Sequence, residues 1–241
     1  MMGFLTPFKS RGNGVGHHYG LPVDWLAPWL ATALLLFLFA STEAIGSTRD
    51  GVHYPPLFGT AEKRANSINL FPKWKGTLDR YFRERKLEDA RCDANMFNRC
   101  HLRKWKTFLA KLEGKDRMMQ LREVNTYMNR APYIVDPVNY GVPDYWATPR
   151  QFFRRDGDCE DYAIAKYLSL RALGVPPDAM RVVVLQDENL KLAHAVLVVY
   201  LEGRAYVLDN QIKTVVEARR IFHYRPIYSI NEHYWWVHMR R

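Results

Sequence analysis

Residues 156–163 read Asp156-Gly157-Asp158-Cys159-Glu160-Asp161-Tyr162-Ala163. A cysteine set among four carboxylates stands here at the head of an apolar pattern. Ile164, Tyr167, Leu168 and Leu173 follow at helical spacing, and Gly174 and Pro176 close the run. The spacing predicts a helix over 160–173. Asp156 or Asp158 supplies its N-cap, and Glu160 and Asp161 fall in its first turn, where the helix dipole favours anions. Cys159 therefore sits at a helix N-terminus. Unpaired backbone N–H groups there stabilise a thiolate, the nucleophilic form of the side chain.

The pattern changes on either side of this helix. Upstream, apolar residues recur at three and four over 69–85, 96–112 and 118–128, three further helix expectations. Pro72 falls in the first turn of the first, where proline is tolerated. Residues 131–149 read as a loop rich in Pro, Tyr and Asp. Downstream, RVVVL (181–185), AHAVLVVYL (193–201) and RAYVL (204–208) are β-branched runs bounded by turn residues, and 235–239 reads as a last strand. Helices first and antiparallel strands later predict an α+β fold, with the cysteine where helix meets sheet. The sequence contains no internal repeat.

Composition narrows the function classes. At 241 residues, 48% apolar and 25% charged, the chain is of ordinary globular composition, which excludes collagen-like and wholly disordered readings. Three cysteines are too few for a disulfide scaffold or a four-cysteine zinc site. The net charge of +10 predicts an acidic partner. Nucleic acid is not expected: the densest basic stretch, RCHLRKWK at 99–106, reads as the solvated face of an amphipathic helix, and no nucleic-acid-binding motif accompanies it.

Near the N-terminus, LATALLLFLFA (30–40) carries no charge and is followed by the small residues Ser41, Thr42 and Ala44. It is shorter than the ~20 residues of a membrane span and has the length of a signal-peptide core. Residues 1–46 are therefore expected to be an export signal, with an uncleaved N-terminal membrane anchor as the alternative, and residues 47–241 the functional domain. Either reading places that domain outside the cytoplasm. Cys92 and Cys100 are expected to form a disulfide there, against two free buried thiols.

Four acids around Cys159 oppose thiolate formation. A hard cation would cancel that repulsion, and calcium suits oxygen ligands and is available outside the cytoplasm. Asp158 and Glu160 are its side-chain donors in this reading. The alternative is that the acids only cap the helix.

A base is expected on the strand that holds His194. With Glu202-Gly203 as a hairpin turn, Leu201 pairs with Arg204 and Val196 faces Asp209. Asp209 then lies on the face of His194, one diagonal pair away, within ~7–8 Å. A carboxylate so placed orients the ring and stabilises its charged form. Asn210 and Gln211 follow as polar support or plain loop residues. Trp146 is either a shield for the site or packing.

These motifs, in their order, carry a resemblance. GDCEDYA with Lys166, Gly174-Val175-Pro176, AHAVL around His194 and LDNQ around Asp209 are joined by LFGTAEKR (57–64), FPKW (71–74), DYWATP (144–149) and YSINEHYWW (228–236). Over most of residues 57–239 the chain resembles the bacterial transglutaminase-like cysteine proteinase family, in its periplasmic adhesin-protease type. The resemblance implies a papain-like, transglutaminase-like fold with N-terminal helices packed on an antiparallel sheet. It implies a Cys-His-Asp triad in which Cys159 is the nucleophile, His194 the base and Asp209 the orienting acid. It also matches Asp158 and Glu160 to acids linked to calcium dependence. Proteases of this type cut near paired alanines in large acidic surface adhesins, which affects biofilm attachment. They are sequestered by an inner-membrane receptor that senses cyclic di-GMP. Two other readings share these residues: a transglutaminase that passes the acyl group to an amine, and a non-catalytic module that holds a peptide in the cleft.

Overall fold

The computed structural model describes residues 54–85 and 99–240. The export-signal or anchor expectation for 1–46, and the expected disulfide between Cys92 and the side chain of Cys100, lie outside the described residues. Among the described residues, no helix is long and apolar enough to cross a membrane.

Seven strands form one sheet: β1 (Ala61–Ala65), β2 (Met180–Asp187), β3 (Leu192–Leu201), β4 (Arg204–Leu208), β5 (Val216–Glu217), β6 (Tyr224–Ile230) and β7 (Trp235–Met239). Their order is β1-β7-β6-β2-β3-β4-β5, and every neighbouring pair is antiparallel. Among the described residues, six α-helices precede β2: α1 (Pro72–Glu84), α2 (Arg99–Leu112), α3 (Arg117–Met128), α4 (Asp136–Asn139), α5 (Pro149–Arg155) and α6 (Cys159–Ala172). The fold is α+β, with the cysteine at the first residue of α6.

The centre of the sheet, β2 and β3, is buried on both faces. Val182, Leu197, Val199, Leu208 and Ile230 face the helical layer. The alternate residues Val183, Leu185, Val196, Val198, Tyr200 and Val207 meet Leu57, Ala218 and Ile221 on the other side. A strand wetted on neither face reads as a continuous β-branched run, which is how β2 and β3 appear in the sequence. Helix α6 is enclosed in the same way. It packs on β2 and β3 and is covered by α3 and α5, so every residue from Asp161 to Leu170 is buried. Leu173 is the C-cap of α6 and is partly buried, packed against this core. Trp146 is packing: it is buried and meets Trp74 edge-on at 6.2 Å between ring centroids.

Several elements are absent from the sequence reading. Strand β1, AEKRA, is polar because it is an edge strand, where charge discourages further pairing. Strand β6 contains Pro226, which a central strand rejects. The sheet accommodates it where the β2–β6 register shifts, between Val184 and Leu185. Strand β5 has two residues. Within the region read as a loop, 131–149, α4 forms, and α5 begins at its last residue. Thr148 and Gln151 build a capping box at the start of α5, and Pro149 takes the first helical position.

Candidate active site

The turn into α6 is fixed by its backbone. Asp156 ends α5 with φ of +60°. Gly157 bridges Tyr133 in parallel, and its carbonyl accepts the Ile134 N–H at 3.0 Å. Asp158 occupies the N-cap position, but its side chain makes no capping bond to α6. Its Oδ2 instead accepts the Asp136 N–H at 3.2 Å. Asp158 thus takes the N-cap position that the sequence suggests, but its carboxylate is committed to the neighbouring loop.

Cys159 is half-buried. Its thiol donates to Glu160 Oε2 at 3.1 Å. Burial, then the Glu160 and Asp158 charges, push the thiol well above its ordinary pKa, while the Ala195 backbone N–H at the sulfur opposes that rise. Helix position alone would have predicted a lowered thiol pKa. Here burial and two adjacent carboxylates outweigh the dipole.

The carboxylates form a cluster larger than the sequence indicates. Oxygens of Asp136, Asp158 and Asp161 lie within 4.8 Å of one another, as do those of Asp136, Asp144 and Glu160. Asp136 and Asp144 come from the loop that α4 interrupts, 14 or more positions upstream of Asp158. Burial raises Asp136 to about 6 and Asp161 to about 9. Glu160 is raised to about 8, by burial first and the Asp158 charge second. Backbone N–H groups satisfy one oxygen of several: Ala147 donates to Asp161 Oδ1 at 2.6 Å, and Tyr145 donates to Asp136 Oδ2. The buried oxygens Asp136 Oδ1, Asp158 Oδ1 and Asp161 Oδ2 have no hydrogen-bond partner. Buried carboxylate oxygens without donors are costly unless protonated or bound to a cation. An all-oxygen donor set of this kind fits calcium.

His194 and Asp209 are brought together. The hairpin pairs Leu201 with Arg204 and Leu197 with Leu208, its turn carried by Glu202 and Gly203 at positive φ. Asp209 is the next residue, and its Oδ1 lies 2.9 Å from His194 Nε2. The pair is almost wholly buried. Asp209 Oδ1 also accepts the Gln211 N–H at 2.9 Å, and Oδ2 accepts the Tyr224 hydroxyl. Burial alone would raise the Asp209 pKa. The His194 hydrogen bond and charge, with Tyr224 and Gln211, outweigh it and hold the carboxyl below its ordinary value.

Gln211 Nε2 lies 3.5 Å from His194 Nδ1, so this residue is polar support and not plain loop. Tyr224 was not singled out from sequence. It stands on β6, the strand that Pro226 disguises. Lys166 on α6 is also buried at this end of the sheet, near enough for the Asp209 charge to act on it.

Cys159 meets the sheet beside His194, through the Ala195 N–H. The thiol proton is directed at Glu160, and the imidazole nitrogens face Asp209 and Gln211. Among the described residues no hydrogen bond joins thiol to imidazole. Such contacts often tighten only when substrate binds.

Comparison with known proteins bears on the family and the fold. Residues 90–241 match the profile of a family described as bacterial transglutaminase-like cysteine proteinase. LapG from Legionella pneumophila is 29% identical, with a TM-score of 0.54 over 67% of this chain and 87% of that one. Its calcium-bound and EGTA-treated forms, also 29% identical, give TM-scores of 0.55 and 0.56 over 67% and 68% of this chain and 87% of theirs. No curated protein matches the sequence.

Proposed function

Since this chain belongs to the bacterial transglutaminase-like cysteine proteinase family and is a cysteine peptidase, we propose that Cys159 is its nucleophile, His194 its base and Asp209 the acid that orients the base. The observation that carries this reading is the buried His194–Asp209 pair at 2.9 Å, held on the strand whose Ala195 N–H faces the Cys159 sulfur. His194 takes the thiol proton and Cys159 adds to the scissile carbonyl. Asp209 stabilises the imidazolium and fixes the ring through Nε2. Backbone N–H groups at the start of α6, that of Cys159 among them, receive the oxyanion. The amine leaves with a proton from His194, and water hydrolyses the acyl-enzyme.

Asp158 and Glu160, joined by Asp136, Asp144 and Asp161, are the residues that would hold calcium. Bound there, the ion supplies positive charge that offsets the carboxylates around the thiol. Glu160 accepts the thiol proton's hydrogen bond, so its charge state bears directly on Cys159. The existence of calcium-bound and EGTA-treated LapG structures supports this reading.

The substrate in this proposal is a large acidic surface adhesin, cut in the periplasm with consequences for biofilm attachment. The enzyme reaches the periplasm by an N-terminal signal or is held there by an anchor, and an inner-membrane cyclic di-GMP receptor sequesters it. The chain's charge of +10 suits an acidic substrate.

The test is a mass-spectrometric cleavage assay against large repeat adhesins of the source organism, with calcium and with chelator, beside Cys159→Ala. A calcium-dependent cut absent from the variant is expected. Ammonia release with amine incorporation into glutamine would instead assign a transglutaminase. Cleavage retained by Cys159→Ala would overturn the nucleophile assignment, and binding without turnover would assign a peptide-binding module.

A further inference from the structure

The segment around Tyr133 is pinned beside the nucleophile turn. Tyr133 bridges Gly157, and the Ile134 N–H donates to the Gly157 carbonyl at 3.0 Å. The Tyr133 ring stacks on Tyr162, with centroids 6.4 Å apart and planes 18° from parallel. Tyr162 is itself buried in α6, and its hydroxyl donates to the Ala131 carbonyl. Backbone and ring of Tyr133 are thus tied to the same turn and helix that present Cys159. The Tyr133 hydroxyl lies close enough to Cys159 for the Cys159 backbone N–H and side chain both to act on it. Tyr133 nevertheless remains 54% exposed, so an incoming chain can reach it.

We infer that the Tyr133 hydroxyl is the side-chain donor of the oxyanion hole, working beside the backbone N–H of Cys159. The inference rests on the acyl-transfer reading of Cys159 and deepens it. As the Cys159 sulfur bonds to the carbonyl carbon, the carbon–oxygen π pair moves onto oxygen. That oxygen enters between the Tyr133 hydroxyl and the Cys159 N–H and receives both donors. The pair then returns, the carbon–nitrogen bond breaks, the amine departs with the proton from His194, and a thioester remains. A phenol is a donor at neutral pH. Burial, then the nearby Cys159, Asp158 and Glu160 charges, raise the Tyr133 pKa and keep its proton in place. A donor present before reaction costs no reorganisation as charge develops, and that is the source of its catalytic effect.

The test compares two reactions of Cys159 in the full-length chain. N-acetyl-Ala-Ala p-nitrophenyl ester acylates the sulfur through an oxyanion and releases p-nitrophenolate. Iodoacetamide alkylates it by displacement of iodide at a saturated carbon, with no oxyanion. Tyr133→Phe keeps the ring and its stack and removes only the O–H. The expected result is an about 100-fold fall in kcat for the ester with KM little changed, while alkylation keeps the parent rate. Ester turnover at the parent rate overturns the inference. Equal loss of both reactions also overturns it, since Tyr133 would then be placing the thiol. An unsubstituted chain that is alkylated at Cys159 but releases no p-nitrophenolate overturns the acyl-transfer reading itself, and the inference with it.

Discussion

The Oδ2 atom of Asp161 lies 2.2 Å from the point where a Cβ on Gly157 would stand. The two residues approach this closely because Asp161 is fully buried, with Oδ1 anchored on the Ala147 N–H. A methyl group at 157 would have to push the carboxylate off that donor or open the turn before Cys159. Overpacking of this kind costs about 1–3 kcal/mol. Gly157→Ala should therefore lower the melting temperature and disable the site, read by thermal melts and by iodoacetamide labelling of Cys159. Normal stability and labelling would show that the turn has room that the structure denies it.

Tyr224 supports the acid of the proposed triad from a strand the sequence conceals. Its hydroxyl donates to Asp209 Oδ2, one of the bonds that hold the carboxyl ionised against its burial. A hydrogen bond to a charged group contributes about 1.5–3 kcal/mol. In Tyr224→Phe the Asp209 pKa should rise toward its ordinary value. The carboxylate is needed ionised, so the acid limb of the kcat/KM profile should move to higher pH, with a smaller loss at the plateau. An unmoved limb would mean that His194 and Gln211 suffice.

How much of this was legible in the sequence depends on whether a signal is local. The helix from Cys159 was legible because its periodicity and closing Gly174 lie within one stretch. The His194–Asp209 approach was legible because a two-residue turn fixes hairpin register, and register fixes the face. Tyr224 was not, since Pro226 argues against a strand until the β2 register shift is known. Asp136 and Asp144 lie in a Pro-rich stretch that tertiary contacts, among them the Tyr133–Gly157 bridge and the Asp136–Asp158 hydrogen bond, bring to the cysteine. Asp158 takes the N-cap position that the local rule gives it, but a tertiary partner, the Asp136 N–H, takes its carboxylate.

Lys166 is wholly buried, and its Nζ has no hydrogen-bond partner. It lies 5.8 Å from the centre of the Tyr162 ring. Burial lowers its pKa to about 7, against the attraction of Asp209. The folded state therefore holds a proton less readily than the unfolded chain. The destabilisation is full below pH 7 and fades as pH rises toward the ordinary lysine value. Lys166→Met should stabilise the protein by about 1–4 kcal/mol at pH 6, and less at pH 9. Thermal melts of both proteins at the two pH values decide it. A variant less stable at pH 6 would show that the Lys166–Asp209 attraction exceeds the desolvation cost.

The carboxylate cluster makes the proposed calcium effect depend on pH in a definite direction. Burial raises Asp136 to about 6 and Asp161 to about 9, and burial with the Asp158 charge raises Glu160 to about 8. The folded chain thus keeps protons that the unfolded chain releases near pH 4. Without metal, this contribution to stability is full below about pH 4 and is lost as pH rises through those three values. Calcium needs the same groups ionised, so its binding expels their protons and strengthens as pH rises. The melting-temperature difference between calcium and EGTA should be small at pH 5 and largest near pH 9. With free calcium at about 100 times its Kd the gain is about 2.7 kcal/mol, or roughly 5–10 °C for a chain of this size. Taking the difference at each pH removes the opposing Lys166 contribution, which is common to both samples. Asp158→Asn with Glu160→Gln should shrink the difference at every pH. A difference that does not change between pH 5 and 9 would mean that calcium binds elsewhere than at these carboxylates.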